Sequence, residues 1–202
     1  AVGGRIIEEN KKIAKYVNSP ETNFFKKGNN LYNLNKARKI SNKYDEVYLV
    51  EGYMDVIKLY SNLVPNCVAN LGTALTNKQI LSLGQFFSEI IICFDGDDSG
   101  YNAALRAAEN SLKFLQPEKQ ISFLFLPNGE DPDSFVESKG SEYFLKYSEE
   151  NKIQIHKFIF SHYFNNSKKT PTDLAMIEKK LSTLANSIND TIVKKYVLGF
   201  FL

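Results

Sequence analysis

From Glu46 to Pro127 short apolar runs alternate with stretches of helical periodicity, and that alternation limits the fold more than any other feature of the 202-residue chain. VYLVE (47–51), CVANL (67–71), EIIICFD (89–95) and ISFLFLP (121–127) read as strands. The third is continuously apolar, as a strand covered on both faces must be. Between them YMDVIKLYSN (53–62), TNKQILSLGQFF (76–87) and SGYNAALRAAENSLKFL (99–115) carry helical spacing, with Thr76 and Ser99 as expected N-caps. Strands and helices in this order predict βαβ units with right-handed crossovers, hence an α/β fold: a Rossmann-like, mostly parallel sheet with helices on both faces. Past residue 141 the strand signals stop. Residues 151–164, 172–187 and 190–202 read as amphipathic helices, the second opening at Thr170-Pro171, so a C-terminal all-helical subdomain is expected over 141–202. Residues 1–45 are polar and punctuated by turn signals, which leaves 46–140 as the α/β unit.

The net charge of +2 announces no nucleic-acid binder, so any basic face has to be local. Cys67 and Cys93 sit inside apolar runs and read as small core residues in a reducing compartment. No apolar run approaches the roughly 20 residues of a membrane span. AVGGRIIEENKK lacks the apolar centre of a signal peptide, so a cytoplasmic location without membrane contact is expected. Ala1 in place of a start methionine suggests a piece of a longer protein.

In open parallel sheets ligands bind beyond the carboxyl ends of the strands. Three strands end there in acid: Glu51-Gly52, Asp95-Gly96-Asp97-Asp98, and Gly129-Glu130-Asp131-Pro132-Asp133. Asp55, four residues after Glu51, can face the same crevice from the following helix. Carboxylates gathered this way repel one another unless cations neutralise them. Oxygen ligands without His or Cys suit Mg²⁺ or Mn²⁺ and not Zn²⁺, and such ions fit a two-metal displacement at phosphorus. Taken singly, each residue could equally be a solvated turn or cap, and a helix N-terminus accounts for Asp98 without function. His156, beside Ile155, Phe158 and Ile159, reads as a packing residue, and Tyr53 follows Gly52 at the crevice.

EGYMDV (51–56), NLGTALT (70–76), CFDGDDSG (93–100) and LPNGEDPDSF (126–135) resemble, in order and spacing, the Toprim motifs of bacterial DnaG-type primases. GGR (3–5), KYVNSPET (15–22) and FFKKGNNLYNL (24–34) are similar to the stretch preceding Toprim there, and LSTLANSINDTIVKKYVLGFFL to the helical end of the polymerase domain, so the resemblance runs along the whole chain. It implies a Toprim fold with Glu51, Asp95 and Asp97 as principal metal-binding and catalytic carboxylates, and Asp55, Asp131 and Asp133 in support. Arg5, Lys15 and Lys27 match basic residues near the incoming nucleotide or template. One departure is Asp98-Ser99 after the DGD, where relatives usually carry a non-acidic residue and then Ala. The implied activity is DNA-templated synthesis of short RNA primers from NTPs, with Mg²⁺ (Mn²⁺ substituting), single-stranded DNA and the RNA primer as partners at the replication fork in the nucleoid. Cys67, Cys93, His156 and His162 lack zinc-ligand spacing, so the family's zinc-binding domain is expected to be missing, and its first polymerase half and helicase-docking domain are expected to be missing as well. Two alternatives stay open: an OLD-like Toprim nuclease and a RecR-like DNA-binding scaffold.

Overall fold

The computed structural model describes residues 3–5, 16–72, 74–96 and 98–202; for Arg5, Tyr16, Asp98 and Ser99 only the backbone is described. Strand β1 (Gly3–Arg5) pairs antiparallel with β2 (Tyr16–Asn18). The main sheet has the order β4-β3-β5-β6-β7, from β3 (Glu46–Val50), β4 (Cys67–Ala69), β5 (Glu89–Gly96), β6 (Gln120–Asn128) and β7 (Ile153–Gln154). Its first four strands are parallel and β7 runs antiparallel along β6. The helices are α1 (Leu34–Ala37), α2 (Tyr53–Ser61), α3 (Asn77–Gly84), α4 (Asp98–Ser111), α5 (Pro132–Lys139), α6 (Ser141–Asn151), α7 (Ile155–Asn165), α8 (Pro171–Asn186) and α9 (Thr191–Phe201).

Side-chain alternation along the strands divides the core in two. Val47, Leu49, Ile90, Ile92 and Phe123 point to one side, where they meet Ile80 and Leu83 of α3, Ala104 and Ala108 of α4, and the apolar faces of α7 to α9. Tyr48, Val50, Ile91, Cys93 and Leu124 point to the other, against Val56 and Leu59 of α2, Phe135 and Val136 of α5 and Phe144 of α6. The α/β class with helices on both faces follows directly from this arrangement. Both cysteines are buried in it, and His156 packs edge-on against Phe200 with ring centroids 4.9 Å apart.

Thr76 caps α3 as its position predicts: its hydroxyl oxygen accepts from Gln79 N at 3.3 Å, and the hydroxyl donates to Gly28 O at 2.6 Å. Ser99 differs from expectation, because α4 already starts at Asp98 and Ser99 lies inside its first turn. The strand β7 also departs from the reading of residues past 141 as purely helical. Two residues are too few to leave an alternation pattern, and Ile153 and Gln154 pair because α6 returns the chain to the free edge of β6. The α7–α9 helices share one core with the sheet rather than enclosing a separate one.

At the end of β5 the ladder shifts register between Phe94 and Gly96, and Gly96 N donates to Glu130 O at 3.3 Å. A Cβ on Gly96 would lie 2.2 Å from Pro127 O and 2.5 Å from Leu126 O, both backbone atoms that cannot swing aside. The Gly96→Ala variant should therefore lose about 1–3 kcal/mol of stability, as overpacked sites do. Urea denaturation reads this as a lower midpoint at unchanged slope, and a midpoint equal to the parent's would refute the close approach.

Candidate active site

The carboxyl ends of β3, β5 and β6 open onto a cleft of ≈ 510 Å³ whose walls include Glu51, Asp55, Asp95, Asp131, Asp133 and Glu137. Each acid arrives there by local structure. Glu51 follows β3 directly, and Asp95 is the penultimate residue of β5. Asp55 sits in the first turn of α2, where its Oδ2 accepts a hydrogen bond from Gly52 N at 3.0 Å. Asp131 is the N-cap of α5, its Oδ1 accepting from Ser134 N at 2.7 Å, and Asp133 follows in the first turn. Lys58 reaches over from α2 and lies 3.4 Å from Asp133 Oδ1 and 3.2 Å from Glu137 Oε2. Five of the six carboxylates predicted from sequence thus line one cleft. The sixth, Asp97, lies outside the described residues.

Burial first, and the neighbouring charges after it, act on one of these carboxyls. Asp55 is buried, and desolvation moves its carboxyl from 3.8 up to about 7. The Gly52 hydrogen bond opposes that rise, and the charges of Asp131, Asp95 and Asp133 add to it. Beneath the cleft, burial pushes the Cys93 thiol well above its ordinary range, with Asp55, Asp95 and Glu51 reinforcing the effect. Burial thus favours the thiol form of that sulfur. Among the described residues no three His, Cys, Asp or Glu side chains are arranged to hold a metal ion. The donor chemistry nevertheless fits a hard divalent cation: the charged groups of the lining are carboxylates, and a cation would offset the mutual repulsion that adds to the desolvation of Asp55.

Residues 1–38 match the family described as the DNA primase catalytic core, N-terminal domain, and residues 45–125 match the Toprim domain family. A DNA primase of Pseudomonas putida is 41% identical over 194 residues, covering 95% of this chain and 28% of the relative. A solved DNA primase domain from Pseudomonas aeruginosa superposes with a TM-score of 0.92 at 37% identity, covering 98% of this chain and 62% of that one. A DnaG primase catalytic domain solved bound to ssDNA gives 0.89 at 33% identity, with 98% and 64% coverage. The chain belongs to the DnaG-type bacterial primase catalytic core. It spans just over a quarter of the length of the Pseudomonas putida relative. Neither the nuclease nor the scaffold alternative is favoured by these matches.

In this primase core the predicted basic residues are placed unevenly. Lys15 and the Arg5 side chain lie outside the described residues. Lys27 opens a short 3-10 turn, its N–H donating to Glu21 Oε1 at 2.8 Å and its carbonyl accepting from Gln79 Nε2 at 3.3 Å. Its side chain is half-buried and is not part of the acidic wall. Two amides that sequence reasoning did not single out do line the cleft, Asn18 at the end of β2 and Asn70 after β4. Asn18 Nδ2 donates to Leu71 O at 3.4 Å across 53 residues of chain. Only the tertiary fold brings those segments together. Tyr53, singled out for its place after Gly52, also lines the cleft and stands 6.0 Å from Tyr32 between ring centroids.

The raised Asp55 carboxyl predicts a pH signature in metal-free protein. Below pH 3.8 the group is protonated folded and unfolded, and it imposes no penalty. As pH rises from there through about 7, the unfolded chain gives up its proton first and the folded state loses stability. Asp55→Asn, which keeps an acceptor for Gly52 N, should match the parent near pH 4 and exceed it by about 2–4 kcal/mol at pH 8. Denaturation in EDTA across that range decides it. A stability difference that does not change with pH would contradict the assignment.

Proposed function

We propose that this chain supplies the metal-binding part of a primase RNA-polymerase domain, which makes short RNA primers on single-stranded DNA for replication. The observation that carries the reading is the convergence of Glu51, Asp55, Asp95, Asp131 and Asp133 on one cleft in a chain that aligns over 98% of its length with a primase domain. In the proposed reaction a primer 3′-hydroxyl oxygen attacks the α-phosphorus of an NTP, a new P–O bond forms, the α–β bridge breaks and pyrophosphate leaves. Glu51, Asp95 and Asp97 hold the divalent cations, Mg²⁺ with Mn²⁺ able to substitute, and Asp55, Asp131 and Asp133 support them. When bound, these ions supply charge neutralisation and orientation of the triphosphate.

The chain's own groups do the rest. Asp131 fixes the loop that carries it by capping α5, and Lys58 restrains Asp133. Asp55 would stand beside the cations, and their charge would favour its ionised form against the desolvation that raises its carboxyl. No protein nucleophile is needed. Arg5, Lys15 and Lys27 contact the phosphates of template or nucleotide; that a single-stranded template is bound at all is supported by a similar DnaG primase catalytic domain solved bound to ssDNA. The replicative helicase and a zinc ion belong to further domains of the complete protein. The proposed setting is the bacterial replication fork in the cytoplasm; among the described residues no helix is long and apolar enough to cross a membrane.

The test is made in the full-length primase. Asp95→Asn should lower primer synthesis by at least about 100-fold while template affinity stays within about twofold, since the carboxylate acts on the reacting phosphate and not on the strand. Its Mn²⁺ affinity should fall in parallel. Equal Mn²⁺ binding by parent and variant would remove the metal assignment, and cleavage of DNA without NTPs would replace primer synthesis with nuclease action.

A further inference from the structure

Helices α2 and α5 meet along a seam fixed by the core. Val56 and Leu59 of α2 and Phe135 and Val136 of α5 belong to one cluster, none of them more than 2% exposed. Across that seam Asp133 and Glu137, one turn apart on α5, share the ammonium of Lys58, which lies 3.4 Å from Asp133 Oδ1 and 3.2 Å from Glu137 Oε2. Both acids line the carboxylate cleft, and every other charged side chain of that lining is a carboxylate as well. Lys58 thus sets a positive charge against one wall of an acidic cleft. The side chains of Lys58 and Asp133 are 27% and 39% exposed, so water screens their contact only in part, whereas Glu137 at 71% stands largely in solvent. Asp133 is therefore the partner on which the ammonium weighs more.

We propose that Lys58 is a positioning residue of the cation site: it holds Asp133 by Oδ1, offsets its charge, and so keeps the cleft's affinity for a bare divalent cation low. The inference rests on the reading that this cleft holds divalent cations. A carboxylate has two oxygens, and bonding one to an ammonium leaves the other for a cation or for a water that the cation carries. The ion pair is therefore compatible with a bound ion. Its effect on that ion is electrostatic, because a second positive charge beside the same carboxylate repels the first. Loss of the orienting contact would act in the opposite sense. It is the smaller effect, since the start of α5 that carries Asp133 is already fixed by the Asp131 cap. A cleft at full acidic strength would retain cations with or without substrate. One weakened at Asp133 leaves more of the binding to the oxygens of a polyphosphate, and Mg²⁺ is commonly held in that way, between one or two carboxylates and substrate phosphates. Lys58 in this role ties retention of the cation to arrival of the nucleotide.

The test measures Mn²⁺ affinity in the full-length primase without nucleotide, reading free Mn²⁺ by electron paramagnetic resonance at low ionic strength. Lys58→Met, which keeps the apolar stem, should bind Mn²⁺ about fivefold more tightly than the parent, the upper range for a partly screened ion pair. Lys58→Gln, which removes the charge and keeps a donor, should show the same gain. Lys58→Arg keeps the charge and should stay within about twofold of the parent. In an Asp133→Asn background Lys58→Met should gain no more than about twofold, because the carboxylate through which it acts is gone. No gain in either the Met or the Gln variant overturns the proposal, and so does an equal gain in the Arg variant. A fivefold gain that persists with Asp133→Asn overturns the route through Asp133. Mn²⁺ binding that ignores Asp95→Asn is a different result, and sinks the reading of the cleft as a cation site instead.

Discussion

The close pairing of β5 with β6 is the constraint from which the rest of the molecule follows. β5 is buried on both faces, sending Ile90, Ile92 and Phe94 into one core and Ile91 and Cys93 into the other. Phe94 stacks against Phe123 and Phe125 of β6, and Phe158 of α7 closes on both of those rings. The middle of such a strand, Ile90 to Phe94, admits no polar side chain. Its acids therefore flank that run, Glu89 where the strand enters the sheet and Asp95 at its carboxyl end. There Gly96 lets β5 run hard against the backbone of Leu126 and Pro127, at a distance no side chain would tolerate. That contact draws the loop carrying Asp131 and Asp133 to the end of the neighbouring strand. The acidic cleft is thus a consequence of how two apolar strands pack, and its electrostatic cost is visible in the raised Asp55 carboxyl.

What the sequence makes legible is what periodicity and chemistry mark locally. The four parallel strands and α2 to α4 are marked by apolar runs and helical spacing, and α3 by a cap that bonds as Thr76 predicts. The elements without such marks were not readable. β1 and β2 are three residues each, β7 is two, and α5 and α6 carry too mixed a surface to stand out. The same holds for the site. Glu51, Asp95, Asp131 and Asp133 follow strands, so a sheet-edge rule gathers them. Asn18 and Asn70 reach the cleft from segments more than 50 residues apart in sequence, joined by the Asn18 bond to Leu71 O, and no local pattern foretells that. Lys58 is likewise an ordinary surface lysine of an amphipathic helix until α5 is packed against α2.

The acids of the cleft are not equivalent, and the difference is structural before it is chemical. Asp131 spends one carboxylate oxygen on capping α5, and Asp55 accepts from Gly52 N at the start of α2. Asp133 is paired with Lys58. Each of these three has a bond that holds it in place whether or not a cation is near. Replacing any of them changes a helix start or an ion pair as well as the charge of the cleft, so loss of function in such variants carries a folding component that has to be measured separately. Glu51 and Asp95 reach the cleft differently, as the immediate outlets of β3 and β5, whose buried ladders fix where the two backbones end. The position of their backbone is therefore set by the sheet. A cleft built in this way has rigid, hydrogen-bonded carboxylates on its α2 and α5 walls and sheet-positioned ones at its floor. That division is what a site needs if it is to keep its shape while cations and polyphosphate enter and leave.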